Sequence, residues 1–243
     1  MNTIVSNINH IKKRIEAACK ASGRDPGEVK LLLATKTVSA ERIKIAFSAG
    51  VTLIAENKVQ ELKEKFDALK GSPHTKHFIG HLQTNKIKDL LKCEVACIES
   101  LDRLDLAEKL QQRLEFEDKT IEALIQVNTS FETSKFGVNP ENAVELVEQV
   151  SQFDRIKIKG LMTIGLFSDE IERVRKCFRL LKEIQQRIIA LEIPNVEMNE
   201  LSMGMSGDLE AAIEEGATIV RVGTAIFGER IYSDSYYWNE NMN

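Results

Sequence analysis

Eight short aliphatic runs alternating with amphipathic stretches predict an α/β protein, a single (β/α)8 barrel of TIM type with an extra N-terminal helix. Its 243 residues are close to the roughly 250 that such a barrel uses. No Pro-, Gly- or Ser-rich linker and no low-complexity tract divides the chain. A doubly wound open sheet is the competing geometry, but it usually needs only about six strands. The expected organisation is a barrel over residues 1–230, including a helix over 3–22, and a short polar-aromatic tail over 231–243.

The elements follow in order. Ile4, Ile8, Ile11, Ile15 and Cys19 recur on one face of a 3.6-residue period, with Gly23 placed to cap the helix end and Pro26 just beyond. The strand candidates are LLLATK (31–36), LIAEN (53–57), HFIG (77–80), VACIE (95–99), IEALIQVN (121–128), IKGLMT (158–163), MNELS (198–202) and TIVRV (218–222). Between them lie helical patterns such as SAERIKIAFSAG, LDRLDLAEKLQQRLE, NPENAVELVEQVSQF and the stretch from Asp169 to Leu191.

Composition narrows the function classes. Lys and Arg number 33 against 37 Asp and Glu, a formal net charge of −4, which argues against a basic nucleic-acid clamp. No apolar run approaches the roughly 18 residues of a membrane span, and the N-terminus lacks the pattern of a signal peptide. A cytosolic protein is expected. Cys19, Cys93, Cys97 and Cys177 are too scattered for a disulfide framework, and His10, His74, His77 and His81 form no helical metal pair.

In such barrels the C-terminal strand ends build the active site. Lys36 ends LLLAT, where partial desolvation would free a neutral amine able to attack a carbonyl. After strand seven, a Gly-rich turn from Gly204 to Gly207 leads into a helix, with Ser206 as its expected N-cap. Strand eight ends in Gly223 and Thr224, small residues that let backbone amides approach the same anion. Barrel closure makes Arg221 and Lys36 neighbours. A reactive amine beside an anion cradle implies a carbonyl compound carrying phosphate. Pyridoxal 5′-phosphate (PLP) fits, and so does a sugar phosphate in a Schiff-base aldolase; an arginine facing a pyridine nitrogen favours the former.

The blocks LLLATKTV (31–38), FIGHLQTNK (78–86) and SMGMSGDLEAAIEEGATIVRVGTAIFG (202–228) resemble the pyridoxal phosphate homeostasis protein family. Its fold is similar to the N-terminal barrel of alanine racemase, PLP fold type III. The resemblance implies that Lys36 carries PLP as an internal aldimine, that Arg221 faces the pyridine nitrogen, and that Ser206, Gly207, Gly223 and Thr224 hold the phosphate. It also implies that Asn57 and Met203 line the ring, with His81 near the mouth. TSKFG (133–137) resembles the racemase loop whose basic residue reaches the cofactor, which makes Lys135 a further candidate.

A racemase needs a base on each face of its substrate. In alanine racemase, by resemblance, the second base is a tyrosine from a separate β domain; here Tyr232, Tyr236 and Tyr237 all lie in the tail. The expected function is therefore binding, buffering and delivery of PLP in vitamin B6 and amino-acid homeostasis, without efficient turnover. PLP-dependent apoenzymes are the candidate recipients, and a monomer is expected. A weak PLP-dependent racemase or lyase is the alternative.

Overall fold

The computed structural model describes residues 3–228. After helix α1 (Thr3–Ala21) and a 3-10 turn at Pro26–Glu28 come β1 (Lys30–Ala34), α2 (Ala40–Ser48), β2 (Leu53–Glu56), α3 (Val59–Leu69), β3 (Thr75–Phe78) and α4 (Ile87–Lys92). The second half contains β4 (Cys97–Leu101), α5 (Leu104–Glu117), β5 (Ile121–Gln126), α6 (Ala143–Val150), β6 (Ile156–Met162) and α7 (Ile171–Ala190). It ends with β7 (Val196–Ser202), α8 (Leu209–Glu214), β8 (Ile219–Val222) and α9 (Thr224–Phe227).

The strands close into a parallel barrel in chain order, β1 pairing with β8 through Leu32 opposite Arg221 and Leu33 opposite Val222. This is the predicted architecture, and each of the eight runs overlaps a strand. Two are displaced. β3 begins at Thr75 and β4 ends at Leu101, because Thr75 and Lys76 carry no apolar signal and Glu99 and Ser100 are polar yet buried. The ladder between β4 and β5 shifts register at the same place, between Ile98 and Leu101.

Two apolar shells hold the fold. The outer one fills the space between sheet and helices. The inner one comprises Leu32, Ala55, Cys97, Leu124, Met162 and Ile219, drawn from six strands that point into the barrel. The predicted face of α1 is buried at Ile4, Ile8, Ile11, Ile15 and Cys19, and α1 packs on α2, α8 and α9. Gly23 takes a φ of +68° just past the helix, the left-handed conformation of a cap. All four cysteines are buried free thiols.

One predicted cap is corrected. The N-cap of α8 is Asp208, not Ser206. The Asp208 carboxylate accepts from the Met205 backbone N–H at 2.5 Å, which closes the turn one residue beyond the Gly-rich segment. No described helix is long and apolar enough to cross a membrane. The tail over 231–243, with its tyrosines, lies outside the described residues.

Candidate functional site at the C-terminal mouth

Lys36 lies two residues beyond β1 in a half-buried turn. Across the closing seam, Arg221 on β8 is only 5% exposed. Its guanidinium donates from Nη1 to Ser202 Oγ at 2.7 Å and from Nη2 to the Thr163 carbonyl at 2.7 Å. Burial pulls its pKa below the ordinary arginine value, against the opposing pull of Glu99 and Asp208. Arginine nonetheless stays charged in a protein.

The counter-charge sits one step away. Glu99 is fully buried; its Oε2 accepts from Ser202 Oγ at 2.6 Å and its Oε1 faces His77 Nδ1 at 2.6 Å. Burial pushes the carboxyl pKa up, but the hydrogen bond and charge of His77, with Arg221 and Ser202, outweigh it and hold the group below its ordinary value. An ionised carboxylate only accepts, so Ser202 donates its hydroxyl proton to Glu99 and receives Arg221. The result is a buried chain, His77–Glu99–Ser202–Arg221, that links β3, β4, β7 and β8. Sequence reading placed Glu99 and Ser202 at strand ends but assigned them no role. The available signal was a carboxylate inside the apolar run VACIE.

The anion-cradle candidates converge on the same side. Gly223 is the N-cap of α9 and Thr224 its exposed first residue; the Ile226 and Phe227 amides donate to the Gly223 carbonyl, which leaves the first two amides of the turn without an acceptor inside the helix. A Cβ on Gly223 would stand 3.0 Å from the Ala34 carbonyl, so the end of β1 and the loop after β8 approach closely. Gly204 has a φ of +91° and its Cβ would fall 2.4 Å from that of Ala212, which requires glycine. Ser206 and Gly207 follow on that turn, half-buried and exposed.

Helix α1 steadies this turn. Arg14 donates from Nη2 to the Ser206 carbonyl at 3.1 Å and clasps Glu210 at 2.6 and 2.8 Å. Replacing Arg14 with Met is expected to lower stability by about 1 kcal/mol, since the pair is partly exposed. Urea unfolding checks this.

The remaining candidates are placed as follows. Asn57 is buried and its Oδ1 has no hydrogen-bond partner among the described residues; an acceptor left so asks for a ligand or water. His81 Nδ1 is likewise unpartnered, 4.0 Å from Asp102 Oδ2, and its ring stacks on Phe136 with centroids 4.0 Å apart. Met203 is fully buried in the outer shell. Lys135, on the loop after β5, is held by Glu132 and by the Gly165 carbonyl at 2.8 Å. Among the described residues no cluster of three or more His, Cys, Asp or Glu could hold a metal ion.

A cavity of about 690 Å³ opens at the opposite, N-terminal end of the barrel, beside Lys30, His77, Lys159 and Glu200. Of its lysines, Lys30 is matched by Glu200 and Lys159 by Glu197, and Lys12 donates to the Ala49 carbonyl. Chemistry in this architecture belongs to the other end. The mouth fits a phosphorylated aldehyde on three counts: an amine at a strand end, an unpartnered Asn57 oxygen, and glycine turns that a Cβ would obstruct.

Fold and mouth together define a barrel of the alanine racemase N-terminal type, and residues 4–231 match the family described as alanine racemase, N-terminal domain. A pyridoxal phosphate homeostasis protein of Aquifex aeolicus is 44% identical over 225 residues, 93% of this chain and 97% of its own. Its counterpart in Haemophilus influenzae is 38% identical and covers 96% and 98%. The chain belongs to the pyridoxal phosphate homeostasis protein family. Among solved structures, PipY of Synechococcus elongatus with PLP bound superposes with a TM-score of 0.78 at 30% identity, over 88% of this chain and 100% of that one. An alanine racemase of Clostridium difficile, at 15% identity and a TM-score of 0.72, matches 96% of this chain and 58% of its own; that likeness is one of fold.

Proposed function

We propose that this protein holds PLP at the C-terminal mouth, covalently through Lys36, and acts in PLP and amino-acid homeostasis inside the cell rather than as an efficient catalyst. The observation that carries the reading is the closing seam, where an amine-bearing turn, a buried arginine and two glycine turns meet. PLP supplies an aldehyde for the Lys36 amine and a phosphate dianion for the amides near Ser206, Gly207, Gly223 and Thr224. Arg221 donates toward the ring nitrogen, and Asn57 and His81 border the ring. Met203 backs the mouth from the outer shell, and Lys135 approaches from its loop.

The non-catalytic part rests on Arg221. A buried guanidinium linked through Ser202 to Glu99 is a donor that does not release its proton, so it favours an unprotonated ring, a poor sink for electrons. The protein is proposed to work as a monomer in the cytoplasm, with PLP-dependent apoenzymes as recipients.

The test is an absorbance spectrum of the untreated protein, then borohydride reduction and peptide mapping. The expected result is a visible band lost on reduction, the added mass on Lys36, and neither in Lys36→Ala. A tag on another side chain, or on none, would overturn the reading. Racemase or lyase turnover on a common amino acid, abolished by Lys36→Ala, would overturn its non-catalytic part. Ser206→Ala and Thr224→Ala are each expected to weaken PLP binding by about 1–3 kcal/mol through a lost hydrogen bond to a charged group; equilibrium dialysis measures it.

A further inference from the structure

We infer that Lys65, with Glu56 and Glu61, is a positioning device that clamps the turn carrying Lys36 from both sides; this rests on Lys36 being the attachment point. The Lys65 ammonium is largely buried and has three acceptors for its three protons: the Thr35 carbonyl at 2.9 Å, Glu56 Oε1 at 2.8 Å and Glu61 Oε2 at 2.7 Å. The same Glu61 oxygen accepts the Thr37 backbone N–H at 2.6 Å. The same Glu56 oxygen accepts the Thr35 hydroxyl at 2.6 Å. The residues immediately before and after Lys36 therefore end on one cluster from β2 and α3.

The turn needs such support. Thr37 has a φ of +65°, a left-handed conformation that is costly for a β-branched residue and persists only where surroundings impose it. Burial pushes the Glu56 carboxyl up to about 7, against the pull of Lys65, and its Oε2 has no partner among the described residues. For stability alone, an apolar trio of the same volume would serve as well as a buried ion cluster. What distinguishes this one is where its hydrogen bonds end, on the backbone and hydroxyl groups flanking one lysine. A clamped turn presents the Lys36 amine in a fixed direction toward the mouth. Bond formation there joins Nζ to an aldehyde carbon and releases one water.

The experiment uses the full chain as wild type, Lys65→Met, Lys65→Arg and Glu61→Ala. The first readout needs no cofactor: amide hydrogen exchange over residues 35–38 is expected to speed up by about tenfold or more in Lys65→Met. The second is the rate of covalent attachment after hydroxylamine-stripped protein is mixed with PLP. It is expected to fall by about tenfold to a hundredfold, the range for a misplaced reacting group. Lys65→Arg should restore part of both. Glu61→Ala, which removes the acceptor of the Thr37 N–H and leaves Lys65 its other two, should stay folded and show a smaller loss, so the proposal remains testable if Lys65→Met fails to fold. Unchanged exchange and attachment rates in folded Lys65→Met or Glu61→Ala, while wild type is tagged on Lys36, would overturn the clamp alone. Wild type tagged elsewhere would instead overturn the reading of Lys36.

Discussion

Glu99→Ala is expected to destabilise the barrel by about 3 kcal/mol, because it strips the buried Arg221 charge of the larger of its two counter-charges and leaves only Asp208. Ser202 and His77 lose their shared acceptor at the same time. The pH dependence separates this from simple loss of volume. A carboxyl whose pKa is lower in the folded than in the unfolded chain stabilises above its ordinary value of 4.5, and that stabilisation drains away as the pH falls through the folded value. Wild type should therefore lose stability on acidification below about pH 4.5. Glu99→Gln, similar in size but unable to titrate, should start less stable at neutral pH and show a shallower acid limb. Urea unfolding between pH 3 and 7 measures both. Equal acid limbs in wild type and Glu99→Gln would show that Glu99 is not the charged partner of Arg221.

Gly80→Ala is expected to be more damaging than its single methyl suggests. The new Cβ would fall 1.9 Å from the Asn57 carbonyl oxygen and 2.6 Å from its carbon. Both are backbone atoms, so no side chain can swing aside, and the chain leaving β2 must shift. The expected cost is about 3 kcal/mol or more, the upper end of overpacking. Asn57 moves with that backbone, so PLP affinity should fall beyond what stability explains. Gly207→Ala is the control: a Cβ there meets nothing within 4 Å and the φ is not left-handed, so its stability should change by less than about 0.5 kcal/mol. Thermal melts of the three proteins, with and without PLP, make the comparison. A Gly80→Ala melt matching wild type would refute the clash.

Much of the fold was legible for one physical reason. Strands of a parallel barrel are buried on both faces, so they appear as apolar runs spaced by amphipathic helices. The runs blur where a strand starts with Thr75 and Lys76 or ends with Glu99 and Ser100, since burial there is satisfied by hydrogen bonds rather than by apolar side chains. Ser206 looked like a helix cap on composition, but the helix begins only after Asp208, whose carboxylate accepts from the Met205 amide and closes the preceding turn. The places of Lys36 and Arg221 near the ends of adjoining strands were legible in the sequence, whereas the roles proposed for them needed the glycine turns and the family resemblance as well. The chain behind Arg221 was not, since His77, Glu99 and Ser202 come from three separate strands. Glu61 and Lys65, four apart on a helix, look like an ordinary solvent-facing ion pair; only the turn packed over them reveals a different job.

The proposed site straddles the first and last strands, so it does not exist until the ring is shut. A nascent or truncated chain lacking β8 has Lys36 but no Arg221, Gly223 or Thr224 to complete the pocket. On the proposed binding mode, ligand capture is a late checkpoint: it rewards only the finished barrel, adding stability at the seam that grows with the logarithm of free ligand over its dissociation constant. Vitamin supply and the lifetime of the folded protein become coupled quantities through geometry alone.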